Sequence, residues 1–307
     1  MVRILVVGGT GLIGAHVVDV LGERGHAATT VARSARPGVD HVLDLASASV
    51  EELRPLLAGH DGVVYAARSD EQRPLRKPIH PVFREDMVEP VVRLFTAARA
   101  EGLTRGVIMG SYYTYFDRLH PEWRLPQRHV YIRCRVEQAR EARAAAGADL
   151  PIAVLELPFV FGRAGDRLPN WAGPLDGWAR SRAPLAAPVG GTAATSARNV
   201  AEVAVDALEQ ADGSDIPVAD ENLTWPDLIA RIADAVGRPR RVRRLPAGVV
   251  RAAMRSGGVL QALGGKESGI NPAHFAGLLL AKLFVDPPSG RPLDAALRET
   301  FDEKAGD

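Results

Sequence analysis

The stretch Arg3-Ile4-Leu5-Val6-Val7-Gly8-Gly9-Thr10-Gly11-Leu12-Ile13-Gly14 decides the fold. Its first five residues are mostly Val, Ile and Leu, as in a buried strand, and the glycines end the run. Apolar residues then recur at helical spacing (Leu12, Ile13, Val17, Val20, Leu21), which predicts a helix over 12–24. Gly8, Gly11 and Gly14 therefore stand as G-x-x-G-x-x-G between a strand and a helix, the context a dinucleotide-binding turn requires. In such a turn the first glycine bends the chain, the second lets backbone approach a pyrophosphate, and the third allows close helix packing. Amide N–H groups and the helix dipole face the phosphates, so Thr10, Leu12 and Ile13 are candidate cofactor contacts with the three glycines.

Outward from this turn the pattern alternates. Strands are predicted over 28–32, 39–43, 61–66, 106–109 and 152–156, with helices over 50–57, 87–100 and 131–146. Short buried strands alternating with longer helices mean parallel pairing through right-handed crossovers: an α/β, doubly wound, Rossmann-type sheet. This dinucleotide-binding domain is expected over 1–160. Residues 161–307 are expected to form mostly a smaller substrate-binding lobe, with some segments returning to the main core. There the pattern loosens, and only helices over 200–210, 227–236 and 292–300 stand out.

The chain has 307 residues, 46% hydrophobic and 24% charged, which excludes intrinsic disorder. Lys+Arg 38 against Asp+Glu 37 leaves +1, without the electrostatic footprint of a nucleic-acid binder, so the expected partner is a small molecule. Cys134 is the single cysteine, and no CxxC or HExxH spacing occurs; no metal and a reducing, cytoplasmic location are expected. No segment is long and apolar enough to cross a bilayer, and no membrane partner is expected. Lysine occurs only at 77, 266, 282 and 304, so nearly all positive charge is arginine.

In a doubly wound sheet the residue closing the second strand meets the adenosine ribose, where an acid would take the 2′-hydroxyl of NAD. Arg33-Ser34 stands there, with no acid from Ala27 through Val39. A guanidinium suits a 2′-phosphate, so NADP is favoured over NAD. Asp44, after the third strand, is placed to accept from the adenine amine or to serve as a strand-end turn.

GGTGLIG, Asp44, Ser111 after the fifth strand, Tyr131 opening a helix, and LELPFVFGR at 155–163 together resemble the extended short-chain dehydrogenase/reductase family, epimerase/dehydratase type. The likeness spans nearly the whole chain, including DGVVYAA at 61–67 and TSARNVAEVAVDALE at 195–209. The resemblance implies Ser111 as the hydroxyl that polarises a reacting oxygen and Tyr131 as acid/base during hydride transfer. It also implies Ala66 and Pro158 as cofactor neighbours, and a homodimer. In the family pattern Tyr-x-x-x-Lys the lysine is replaced by Arg135, one turn along the same helical face, where its charge can still stabilise a phenolate and reach a ribose. Asp86, Glu156 and Asn199 stand where the family more often has Asn, Arg and Asp.

Three functions compete: an NADP(H)-dependent oxidoreductase acting on a carbonyl or secondary alcohol; an epimerase or dehydratase that transiently oxidises a nucleotide sugar; and a sensor that binds NADP(H) without chemistry. Other residues read as structure. Tyr112, Tyr113 and Tyr115 are expected to pack or to wall the pocket, Trp171 and Trp178 to pack the lobe, and Arg163, Asp166 and Arg167 to lie in a solvated loop at its mouth. His129 is expected at the surface, and the arginines of 238–244 on a surface strand.

Overall fold

The computed structural model describes residues 1–67 and 74–301. Strands β1 (Arg3–Val7), β2 (Ala27–Ala32), β3 (His41–Val42), β4 (Gly62–Tyr65), β5 (Arg105–Met109), β6 (Ile152–Glu156) and β7 (Asp215–Pro217) form one sheet. Every neighbouring pair is parallel, in the order β3-β2-β1-β4-β5-β6-β7. The order reverses between β1 and β4, and ligands of such sheets bind in the crevice beyond the carboxyl ends at that reversal.

Burial on both faces explains why β1 is central. Ile4 and Val6 face one helical layer, α1 (Leu12–Glu23), and Leu5 and Val7 face the other, α2 (Val50–Leu57) and α3 (Glu89–Ala100). Helix α4 (Val130–Ala146) joins the second layer and α5 (Ala197–Gln210) the first. Each buried aliphatic side chain contributes about 1.5–3 kcal/mol, and the two apolar layers hold the strand ends, and hence the crevice, in place.

Two predicted elements change. The helix expected over 87–100 is α3, beginning at Glu89, and a further helix, His80–Met87, precedes it, with a break at Val88 between them. Pro90 causes it: a proline lacks the N–H, and its ring clashes with the carbonyl four residues back, here Asp86. The strand expected over 39–43 shrinks to His41–Val42, because Asp40 bonds back to Thr30, accepting from its N–H at 2.7 Å and its hydroxyl at 2.9 Å.

Beyond residue 160 the chain contributes to both halves, since α5 and β7 belong to the main sheet's layers. The rest centres on Gly191–Ser196, which pairs in parallel with Phe159–Phe161 and Lys282–Leu283 and antiparallel with Glu221–Thr224. Phe161, Leu228, Ile232, Leu297 and Phe301 form its core, joined by Trp171 and Trp178 at the edge. The arginine-rich segment is a strand only over Val242–Arg244. Arg240 instead donates to the carbonyls of Ala179 (2.6 Å) and Ala183 (2.9 Å), and Arg238 to that of Arg180, capping the end of helix Ala172–Arg180. Helices α6 (Ala247–Leu263) and α7 (Pro272–Leu280) follow and pack on each other at the cleft. Among the described residues no helix is long and apolar enough to cross a membrane.

Candidate active site

Gly8 has φ +81°, a conformation that favours glycine, and its N–H donates to Val31 O at 2.8 Å. The turn closes as the Gly11 N–H donates to Gly8 O at 2.9 Å. Gly11 caps α1 without a side chain, and the first helical turn carries no acid, so its amide dipoles point outward unneutralised. A Cβ at Gly14 would lie 2.1 Å from Gly8 O, so this glycine acts beneath the turn, letting the helix approach the strand. Gly8, Thr10, Gly11, Leu12 and Ile13 line a cleft of about 1580 Å³ across the carboxyl ends of the sheet. A bare helix N-terminus cradled by glycines fits the pyrophosphate of a dinucleotide.

At one end of the cleft lie Arg33, Ser34 and Asp44, together with Arg36, which sequence reasoning did not single out. Arg36 is separated from the strand by a loop whose course depends on Asp40. Hydrogen bonds from Thr30 hold the Asp40 carboxyl below the usual carboxylate range and commit it to the loop. Two guanidiniums thus face the cleft after β2, and no carboxylate of 33–40 does.

At the other end Ser111, Tyr131, Arg135, Ala66 and Pro158 share the wall. Tyr131 sits in the first turn of α4, 8% exposed, its N–H donating to Gly269 O at 2.9 Å. One turn on, Arg135 Nε donates to Tyr131 Oη at 3.2 Å, while Nη1 donates to Met109 O (3.0 Å) and Gln138 Oε1 (2.8 Å). Gln138 is itself anchored, donating to Met87 O at 2.5 Å. The guanidinium therefore ties the end of β5 to α4 and stays beside the phenol. Tyr112 lies deeper: its hydroxyl is 3.0 Å from Thr192 Oγ1, and burial pushes it up to about 12. Burial likewise pushes Tyr65 up to about 12, while Tyr113 walls the cleft and Tyr115 packs edge-on against Phe116. Among the cleft tyrosines, Tyr131 accepts a hydrogen bond from the Arg135 guanidinium.

The far part of the cleft is mainly apolar, with Phe159, Trp171, Met254, Leu260, Ile270 and Phe275 among its walls and Arg167 and Lys266 as its cations. Arg167 is placed by a reciprocal backbone pair with Ala164, and Arg163 is held by His16 Nε2 at its carbonyl (3.0 Å). Asp86 also lines the cleft.

Two of the residues singled out in the sequence lie outside the cleft. Glu156 is fully buried outside the cleft, accepting bidentately from Arg118 (2.7 and 2.7 Å) and from Thr114 Oγ1 (2.5 Å). The expected surface histidine, His129, is buried; its Nδ1 accepts from the Asn271 N–H at 3.0 Å, and burial pushes it down to about 4. Asn199 is buried in α5, donating to Thr195 Oγ1 at 3.3 Å. His80, Cys134 and Glu137 bring three ligand-type atoms within 4.8 Å of one another. Glu137 already accepts from Arg84 (3.0 Å) and Arg133 (2.9 Å), and burial pushes the Cys134 thiol up to about 12, so the cluster reads as an ion-pair knot.

A sequence model of the NAD dependent epimerase/dehydratase family matches residues 4–173, and the chain belongs to that family. No curated relative matches it. Among solved structures it is similar to the UDP-N-acetylglucosamine 4-epimerase from Bacillus cereus, at TM-score 0.69 and 17% identity over 100% of this chain and 97% of that one. The Bordetella bronchiseptica enzyme WbmH in complex with NAD+ aligns at TM-score 0.70 and 14% identity, covering 100% of both chains. Human epimerase family protein SDR39U1 with NADPH aligns at 0.62 and 19% identity, covering 98% of this chain and 99% of that one. These likenesses establish the fold.

Proposed function

We propose that the protein is an NADP(H)-dependent oxidoreductase that interconverts a carbonyl and a secondary alcohol on a small molecule. Family membership and the glycine cradle support a nicotinamide dinucleotide, and similar folds are known with NAD+ and with NADPH. Arg33 and Arg36 favour the phosphorylated form, because a guanidinium pairs with a 2′-phosphate. When bound, the cofactor supplies or accepts the hydride.

The observation that carries the reading is the Arg135 hydrogen bond to Tyr131 Oη, on the wall shared with Ser111. Tyr131 gives its proton to the carbonyl oxygen in reduction and takes one from the alcohol in oxidation. Ser111 hydrogen-bonds the same oxygen and polarises it. Arg135 balances the phenolate while the proton is away. A guanidinium does not release a proton, so water in the cleft, rather than this side chain, reprotonates Tyr131.

The test is Tyr131→Phe, assayed with NADPH against a panel of carbonyl compounds. Turnover is expected to fall about a hundredfold or more with cofactor binding retained, and unchanged turnover would remove Tyr131 from the chemistry. A second reading, transient oxidation of a nucleotide sugar, has the family match in its favour. It predicts conversion without net change in nicotinamide absorbance, and a continuous absorbance change excludes it.

A further inference from the structure

Helix α6 faces solvent with its apolar side. Val250, Met254, Gly258 and Gln261 are wholly or partly covered, at helical spacing, and mark its inner face. On the outer face stand Val249, Val259, Leu260 and Leu263, exposed by 53%, 58%, 71% and 80%. A helix bordering water normally places charges there. The charged residues of α6 are Arg251 and Arg255, on one flank, and it has no acid.

Charge along the segment of chain that carries the helix is one-sided. Between Gly237 and Asp286 the chain has nine Lys and Arg and a single acid, Glu267, within a protein of net charge +1. Exposed Arg243 and Arg244 lead directly into α6. Of the elements packed on it, α7 has no Lys, Arg, Asp or Glu, and Lys266–Glu267 pairs with Leu75–Arg76. A twofold contact with a second copy would set this cationic arm against itself, so an anionic occupant is the complementary one.

We infer that α6 docks on an anionic lipid surface. Its 17 residues form a rod of about 25 Å that lies in the interface plane, with the apolar face among the acyl chains and the arginines among headgroup phosphates. Met254, Gly257 and Leu260 also line the cleft, so docking places the cleft's rim at the lipid surface and gives apolar substrates a dry route inward. The whole-chain charge balance conceals this, because the acids lie elsewhere. The inference does not depend on the chemistry assigned to Tyr131.

The experiment is sedimentation of the full chain with vesicles of phosphatidylglycerol and phosphatidylcholine, and with phosphatidylcholine alone. Binding to the anionic vesicles, weakened by salt, is the expected result. Val259 and Leu263 do not line the cleft, so the double variant Val259→Glu/Leu263→Glu should keep its melting temperature and NADPH affinity while vesicle affinity falls about a hundredfold. Arg243→Gln/Arg244→Gln should weaken binding about thirtyfold by an independent route. No sedimentation with anionic vesicles overturns the inference. Concentration-dependent dimerisation that Val259→Glu/Leu263→Glu abolishes also overturns it, and assigns the face to a second copy.

Discussion

Gly14→Ala perturbs the cofactor cradle without adding charge or polarity. The new Cβ would lie 2.1 Å from Gly8 O, 2.8 Å from Gly8 C and 2.9 Å from Gly9 Cα, all backbone atoms that no rotamer change can move. Restoring van der Waals contact needs roughly 1 Å of displacement of helix or turn, an overpacking cost of about 1–3 kcal/mol. The same displacement withdraws the first amides of α1 from the phosphates. Losing one charge-assisted hydrogen bond costs about 1.5–3 kcal/mol, or roughly ten- to a hundredfold in dinucleotide affinity. Gly22→Ala is the control: it lies in the same helix with nothing within 4 Å of its Cβ, and should be neutral or slightly stabilising. Nicotinamide fluorescence titration and thermal melting of both variants make the comparison. Unchanged dinucleotide affinity in Gly14→Ala would refute the reasoning that close approach of helix to turn creates the site.

Two further predictions concern stability. Glu156→Gln leaves Arg118 without its bidentate partner; because Arg118 is 46% exposed, the cost falls below that of a fully buried pair, at about 2 kcal/mol, and an unchanged urea midpoint contradicts it. For His129, the folded value of about 4 lies below the ordinary imidazole value of 6.5, so the unfolded chain binds more protons between these values and stability is lost as pH falls from above 6.5 toward 4. The loss reaches at most about 3 kcal/mol, and His129→Asn should flatten the pH dependence of the urea midpoint; an equal slope in wild type and variant counts against it.

The main sheet was legible because its strands are buried on both faces and its helices are periodic, so local pattern and tertiary burial agree. The glycine turn was legible for a different reason: the spacing itself encodes backbone approach, and the cleft contains every predicted contact except Gly14, which lies under it. The Tyr131–Arg135 pairing followed from helical geometry, one turn apart on α4. What sequence could not show depends on partners distant in the chain. The Glu156 carboxylate is answered by Arg118, 38 residues earlier, and the buried His129 accepts from the Asn271 N–H, 142 residues later. Helix α6 was missed because its apolar residues point outward, against the pattern by which a helix is recognised. Arg36 carries no local signal; only the fold of its loop brings it to the cleft.

The most direct test of the account is titration of the purified protein with NADPH and with NADH, after assaying it for nucleotide already bound. Saturable binding that favours NADPH is expected, with that preference reduced by roughly ten- to a hundredfold in Arg33→Ala, the worth of one charge-assisted pair. Binding of neither nucleotide by protein free of co-purified nucleotide would contradict that expectation.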